Sequence, residues 1–235
     1  MKYKILNSKK QISNKEGTVK IILENRGIKT KKEIEEFLNP KLSDVNVKSV
    51  GINRVALKKA IARIKKAIKN QEQIVVFGDY DVDGICGTAI LWETLRLASL
   101  AQGKPYDNVF PYIPHRVDEG YGLSIKGIQN VQDKYDNVKL IITVDNGIVA
   151  NKAVDFANKQ GIDIIITDHH VPSKKLPNAF AIVHTTKLCG TGVAYLLAQN
   201  IRRVIPNSFR DLGSSRTKML KQVQHDNKKD DHLEL

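Results

Sequence analysis

The stretch Gln73-Ile74-Val75-Val76-Phe77-Gly78-Asp79-Tyr80-Asp81-Val82-Asp83-Gly84 decides the fold. Ile74–Phe77 is a short apolar, largely β-branched run of the kind that forms a strand buried on both faces. It breaks into a polar turn holding three alternating carboxylates, and Gly84–Leu100 then has the composition of a helix. The same rhythm returns along the chain. Val109–Ile113, Leu140–Val144, Ile162–Thr167 and Ala179–Val183 are further strand candidates, and Ser124–Tyr135, Ala150–Lys159 and Gly192–Val204 are further helices. Buried strands alternating with helices predict an α/β domain: a parallel five-stranded sheet with helices on both faces.

Outside this core the chain changes character. Residues 1–70 contain 19 Lys/Arg against 6 Asp/Glu, a balance of +13, whereas the remaining 165 residues carry 19 of each. The whole excess charge therefore sits in a basic, mostly helical N-terminal region, 1–70, which suits contact with a polyanion such as nucleic acid or reads as a lysine-rich solvated surface. Within it, Lys31–Leu38 is a short helix with Thr30 as N-cap and Asn39-Pro40 as its end. Arg54–Asn70 is the clearest amphipathic helix, with Leu57, Ile61, Ile64 and Ile68 on one stripe and lysines elsewhere on the wheel. Its basic face reads as solvated or phosphate-facing. Beyond Pro206 the pattern stops, and 206–235 reads as a disordered tail. No run of about 18 apolar residues predicts a membrane span. The N-terminus lacks the apolar stretch of a signal peptide, which places the chain in the cytoplasm. Cys86 and Cys189 are expected as buried thiols in a reducing compartment.

In an open parallel sheet, ligands bind beyond the C-terminal ends of the strands. Those ends carry Asp79, Asp81 and Asp83; Pro114-His115-Arg116 with Asp118-Glu119-Gly120-Tyr121-Gly122; Asp145-Asn146-Gly147; and Asp168-His169-His170. Each group alone has a plainer reading. An Asp after a strand is often the N-cap of the next helix. The Asp-x-Asp-x-Asp-Gly run opens like an EF-hand loop, but its twelfth position is Ile90 where Glu is required. The Asp-x-Asp of haloacid-dehalogenase-type phosphatases is usually followed by Gly-Thr, and here Gly84 precedes Ile85. The joint occurrence at three strand ends points instead to cation binding, because clustered carboxylates repel one another until a cation neutralises them. Mixed Asp/His ligation suits Mn²⁺, Fe²⁺ or Zn²⁺. A pair of ions about 3.5–4 Å apart supports phosphoester displacement, with Arg116 as a fork donor to a phosphate oxygen.

These residues carry a family resemblance. Val75–Gly84, Pro114-His115-Arg116 through Glu119-Gly120-Tyr121-Gly122-Leu123, Thr143-Val144-Asp145-Asn146-Gly147 and Asp168-His169-His170 resemble, in order, four motifs of the DHH phosphoesterases in their RecJ branch. Glu24-Asn25-Arg26-Gly27-Ile28, Phe37-Leu38-Asn39-Pro40 and Cys189-Gly190-Thr191-Gly192-Val193-Ala194 are similar to RecJ segments flanking them, so the resemblance covers roughly 20–203. It implies a DHH domain over 71–205 and a 5′-to-3′ exonuclease acting on single-stranded DNA in recombination and repair, using two Mn²⁺ or Mg²⁺ ions. It implies Asp79, Asp81, Asp83, Asp145 and His169 as metal ligands, with Asp145 bridging. His170 and Arg116 would contact phosphate, and Asp168 would orient the histidines. Water, rather than a protein side chain, would attack.

The resemblance also implies features with no match here. These are a further ligand Asp after the glycine-rich helix, a second domain with a Gly-Gly-His motif, and an oligonucleotide-binding domain. His184-Thr185-Thr186 stands where Asn-Pro is usual. The sequence therefore reads as a C-terminally truncated, metal-binding half with an out-of-family tail, its other half separately encoded. An inactive remnant, a nucleic-acid-binding fragment and a DHH enzyme for small substrates remain alternatives.

Overall fold

The computed structural model describes residues 15–98 and 105–204. The expected tail, 206–235, and the end of the helix expected to reach Leu100 lie outside the described residues. The chain divides into two compact units, one up to Ser49 and one from Val50 onward.

In the first unit, α1 (Lys15–Asn25), α2 (Lys31–Leu38) and a 3-10 turn at Leu42–Asp44 follow one another. Helix α2 starts where the sequence places it. Thr30 Oγ1 accepts from the Glu33 amide at 3.2 Å and Glu33 Oε2 accepts from the Thr30 amide at 2.8 Å. This reciprocal box satisfies two amide donors that the first turn leaves without helical partners.

In the second unit, α3 (Arg54–Lys69) leads into β1 (Gln73–Phe77), α4 (Val82–Leu97), β2 (Val109–Tyr112), α5 (Arg116–Glu119), α6 (Ile125–Lys134), β3 (Val138–Val144), α7 (Asn151–Lys159), β4 (Asp163–Asp168), β5 (Ala181–His184) and α8 (Gly190–Val204). All strand pairings are parallel, in the order β2-β1-β3-β4-β5. The expected α/β sheet is therefore the observed one. Alternation within the strands supplies both cores. Val75, Phe77, Ile141, Ile164 and Ile166 face α6 and α7, where Ile128, Val131, Val154 and Ala157 meet them. On the other face Val144 lies against Gly87 of α4 and, beside it, Ala194 of α8. The strand interiors are fully buried, which stabilises each Val or Ile by about 1.5–3 kcal/mol relative to exposure.

Helix α3 groups with the basic N-terminal region by composition, yet it packs on β5 and α8 of the sheet unit. Its apolar stripe must be covered, and Leu57, Ile61, Ile64 and Ile68 are buried there. Arg63 fixes it further: Nε lies 2.5 Å from Asp163 and Nη2 lies 2.7 Å from Glu72. Both cysteines are free and exposed, not buried as expected. Cys86 lies on the outer side of α4, and Cys189 precedes the first turn of α8. No helix of the described residues is long and apolar enough to cross a membrane.

The chain leaves β1 for β2 on one side and reaches β3 on the other. The crevice between the ends of β1 and β3 is the switch point where such sheets hold ligands.

Candidate metal centre

Strand β1 ends at Phe77, and Gly78 brings the chain over its edge to Asp79. A Cβ at Gly84 would fall 2.6 Å from Asp79 backbone atoms, so glycine there lets the first turn of α4 close against it. Asp79 is buried, and its Oδ1 accepts from the Tyr80 amide at 2.8 Å. Asp81 is the N-cap of α4, with Oδ1 accepting from Gly84 N at 2.9 Å. Helix α4 starts at Val82, two residues earlier than its sequence suggests, because Asp81 caps it.

Strand β3 delivers Asp145 in a left-handed conformation, φ 63°, which short polar side chains tolerate best among residues with a Cβ. Side chains hold this turn. Thr143 Oγ1 donates to Asn146 O at 2.7 Å, Asn146 Nδ2 donates to Val144 O at 2.9 Å, and Thr167 Oγ1 donates to Thr143 O at 2.6 Å. Asp145 N continues the sheet ladder to Thr167 O at 3.0 Å.

Strand β4 ends in Asp168-His169-His170. Asp168 is buried and fully engaged. Oδ2 accepts from Ile148 N at 2.8 Å, and Oδ1 accepts from His169 N at 2.6 Å and His170 N at 3.1 Å, with His170 Nδ1 at 2.8 Å. These bonds tie Asp168 to the backbone of both histidines and to the His170 ring. His170 Nε2 meets the Tyr121 hydroxyl at 3.2 Å. Tyr121 carried no role in the sequence reading; only its place in the Gly120-Tyr121-Gly122 turn marked it.

Two groups of donor atoms, each within 4.8 Å of one another, form among the described residues: Asp79, Asp81 and Asp145, and Asp145, His169 and His170. Asp145 is common to both. His169 Nε2 lies 3.1 Å from Asp145 Oδ1. Asp83 is not in either group. Its two oxygens accept from Gly190 N at 2.6 Å and Thr191 N at 2.7 Å, at the start of α8. Asp83 Oδ2 still lies 3.9 Å from His169 Nε2, at the edge of the cluster. The sequence predicts the helix over Gly192–Val204, but nothing in it signals that the amides of Gly190 and Thr191 face Asp83. Gly190 is the matching feature: a Cβ there would fall 2.6 Å from Asp145 Cγ. Arg116 is exposed at the mouth, its guanidinium carbon 4.7 Å from the centre of the Tyr80 ring.

The electrostatics follow from this placement. Burial, then the neighbouring Asp83 and Asp81 carboxylates, pushes Asp145 up to about 7. Burial also raises Asp79. Burial alone would raise Asp83, but the hydrogen bonds from Thr191 and Gly190 outweigh it and hold it low. For His170, burial works against protonation and is outweighed by the Asp168 carboxylate, so its proton affinity is raised. Burial, then the surrounding carboxylates, keeps the Tyr121 phenol protonated.

The donor set fits a divalent cation. Asp145 Oδ1 is buried and accepts no hydrogen bond. An unsatisfied buried acceptor costs about 1–3 kcal/mol, and a cation among Asp145, its carboxylate neighbours and His169 removes that cost.

The DHH family N-terminal domain model matches residues 73–222, running past Val204 into the segment read as a tail. The single-stranded-DNA-specific exonuclease RecJ of Bacillus subtilis (strain 168) is 36% identical over 202 residues, covering 82% of this chain and 24% of that protein. The protein of the same name from Thermus thermophilus is 35% identical over 180 residues, covering 74% and 24%. A crystal structure of exonuclease RecJ bound to manganese has a TM-score of 0.53 at 35% identity, covering 64% of this chain and 38% of that one. A crystal structure of the Thermus thermophilus RecJ in complex with Mn²⁺ also gives 0.53, at 29% identity over 78% and 24%. The chain thus spans about a quarter of the length of these curated relatives. With strand ends, carboxylate cluster and Asp-His-His turn all in place, the chain belongs to the DHH family and carries its N-terminal domain.

Proposed function

We propose that this chain is the metal-binding part of a single-strand-specific DNA exonuclease that hydrolyses phosphodiester bonds from the 5′ end in DNA recombination and repair. The carrying observation is Asp145: one buried carboxylate common to two ligand groups, with Oδ1 3.1 Å from His169 Nε2 and in no hydrogen bond. The similarity to RecJ exonucleases and to manganese-bound RecJ supports the substrate and the metal.

Asp79, Asp81, Asp145 and His169 would hold Mn²⁺ or Mg²⁺, with Asp83 at the edge. Bound there, such ions supply Lewis-acid polarisation of the phosphodiester and make water nucleophilic at neutral pH. The remaining work belongs to the chain's own side chains. Asp168 holds His170 at Nδ1, so Nε2 is the nitrogen turned toward Tyr121 and the mouth. The Asp168 carboxylate raises the proton affinity of this ring, which favours the doubly protonated form able to donate from Nε2 to a phosphate oxygen. Arg116 offers a fork of donors from the rim, lying over Tyr80. The buried Asp79 and Asp145 make an acceptor-rich floor, and His170 and Arg116 bring donors beside it, which is the polarity a phosphodiester requires.

Single-stranded DNA labelled at either end is the test. The expected result is Mn²⁺-dependent release of nucleotides from the 5′-labelled end, absent with Asp145→Ala. Release no greater than that variant's background overturns the reading.

A further inference from the structure

Helix α3 holds seven basic residues and no carboxylate. Only Arg63 is buried, and it binds both Glu72 and Asp163. Lys59 reaches the Phe180 ring, 4.6 Å from its centre. Arg54, Lys58, Lys65 and Lys69 are exposed, and no ion pair among the described residues engages them. At about 100° per residue these four fall within about 60° of arc, on a stripe about 22 Å long. Helical spacing thus gathers four cations in a line, while Glu72 and Asp163, the carboxylates that pair with this helix, are taken by Arg63.

The stripe has a direction relative to the site. Thr185 Oγ1 donates to Val50 O at 2.5 Å, just before Asn53 caps α3. Thr185 follows His184, whose Nε2 lies 2.7 Å from His170 O. The Arg54 end therefore adjoins the metal-centre end of the sheet. The Lys69 end leads into the start of β1, at the opposite end of the strands.

From this we infer that the Arg54–Lys58–Lys65–Lys69 stripe is a second nucleic-acid contact, which tracks the phosphates of a single strand outside the metal centre. The inference rests on the proposed nuclease reading for its polyanion. A membrane surface fits less well, because an interfacial helix needs a free apolar face, and α3 has buried its own against the sheet. A protein partner fits less well too, since the stripe lacks the aromatic anchors that carry such interfaces. Unpaired lysines in a line suit a backbone whose binding is driven by counterion release.

The test uses the full chain in chelating buffer, so that a long single-stranded oligonucleotide stays intact. Affinity is measured against salt for wild type, for the Arg54→Gln/Lys58→Gln/Lys65→Gln/Lys69→Gln variant, and for a control with equal charge loss on the opposite face. The control is Lys126→Gln/Lys134→Gln/Lys152→Gln/Lys159→Gln. At about 0.7 per phosphate contact on a single strand, the stripe variant should lower the slope of log K against log salt by about 2–3. The control should leave it within about 1. Equal losses in both variants, or none in the stripe variant, overturn the inference. Mn²⁺-dependent hydrolysis of a dinucleotide is a separate arm, expected unchanged by the stripe variant. Its absence in wild type refutes the nuclease reading and leaves the binding result standing.

Discussion

Asp145→Asn should stabilise the metal-free protein at neutral and alkaline pH. Asp145 is buried among carboxylates, and its folded-state value is pushed up from 3.8 to about 7. A carboxyl whose folded value exceeds its unfolded one favours folding while protonated. That support is complete below the unfolded value and is lost as pH rises through the folded one. Above about pH 7 the native state must hold the charge, at a cost of at most ~4 kcal/mol for a gap of this size. Relaxation of the Asp81 and Asp83 side chains reduces this, so about 2–4 kcal/mol is expected. Asn keeps the shape and removes the charge. In chelator at pH 8 the variant should melt roughly 5–10 °C above wild type, and the difference should vanish near pH 4. Excess Mn²⁺ should reverse the order, because only the carboxylate gains from the ion. Thermal melts from pH 4 to 8, with and without Mn²⁺, measure this directly. A variant that melts at or below wild type at pH 8 in chelator refutes the account of Asp145 as a strained acceptor waiting for a cation.

Other perturbations test the surrounding framework. Gly190→Ala forces a Cβ against Asp145 and should cost about 1–3 kcal/mol in urea and weaken Mn²⁺ binding at least tenfold by calorimetry. Asp83→Asn removes a charged cap from α8 and should cost about 0.5–2 kcal/mol at pH 7. Because Asp83 is held low, that difference should be present above the ordinary carboxylate range and fade as pH falls through the depressed folded value. Asp168→Asn removes the charge that raises the proton affinity of His170, so the His170 ring should titrate at lower pH by NMR; an unmoved midpoint rejects Asp168 as its positioning group. Arg63→Leu strands Glu72 and Asp163 and should destabilise by about 2–4 kcal/mol in denaturant titration, without changing metal affinity.

Much of this was legible in the sequence, because the signals were local. Ile74–Phe77 and Leu140–Val144 are short, β-branched runs bounded by turn residues, the kind that form doubly covered strands. Asp79, Asp81, Asp145 and Asp168 were placed by the ends of such runs. What the sequence withheld was long-range partnership. The first turn of α8 turns Asp83 away from the cluster toward amides 107 and 108 residues later. The role of Tyr121 depends on His170, 49 residues on. Cys86 follows the periodicity of a helix whose outer side only the packing defines. The charge of helix α3 groups it with the basic N-terminal region, whereas its apolar stripe and Arg63 pack it on the sheet.

The cap that Asp83 places on α8 has a consequence for the chain as it is made. Asp79, Asp81 and Asp83 leave the ribosome well before Asp145, His169 and Gly190. Until Gly190 and Thr191 emerge, Asp83 lacks the amides that hold it, and three acidic side chains crowd an incomplete turn. A nascent chain that ends before Gly190 therefore carries the three carboxylates of this turn without the amides that bind Asp83. Domains fold as units during synthesis, and among the described residues α8 is the last element of the sheet unit. Synthesis slowed just before Gly190 would hold the protein in a form that repels its own fold, and free divalent ions at that moment would act as a folding aid.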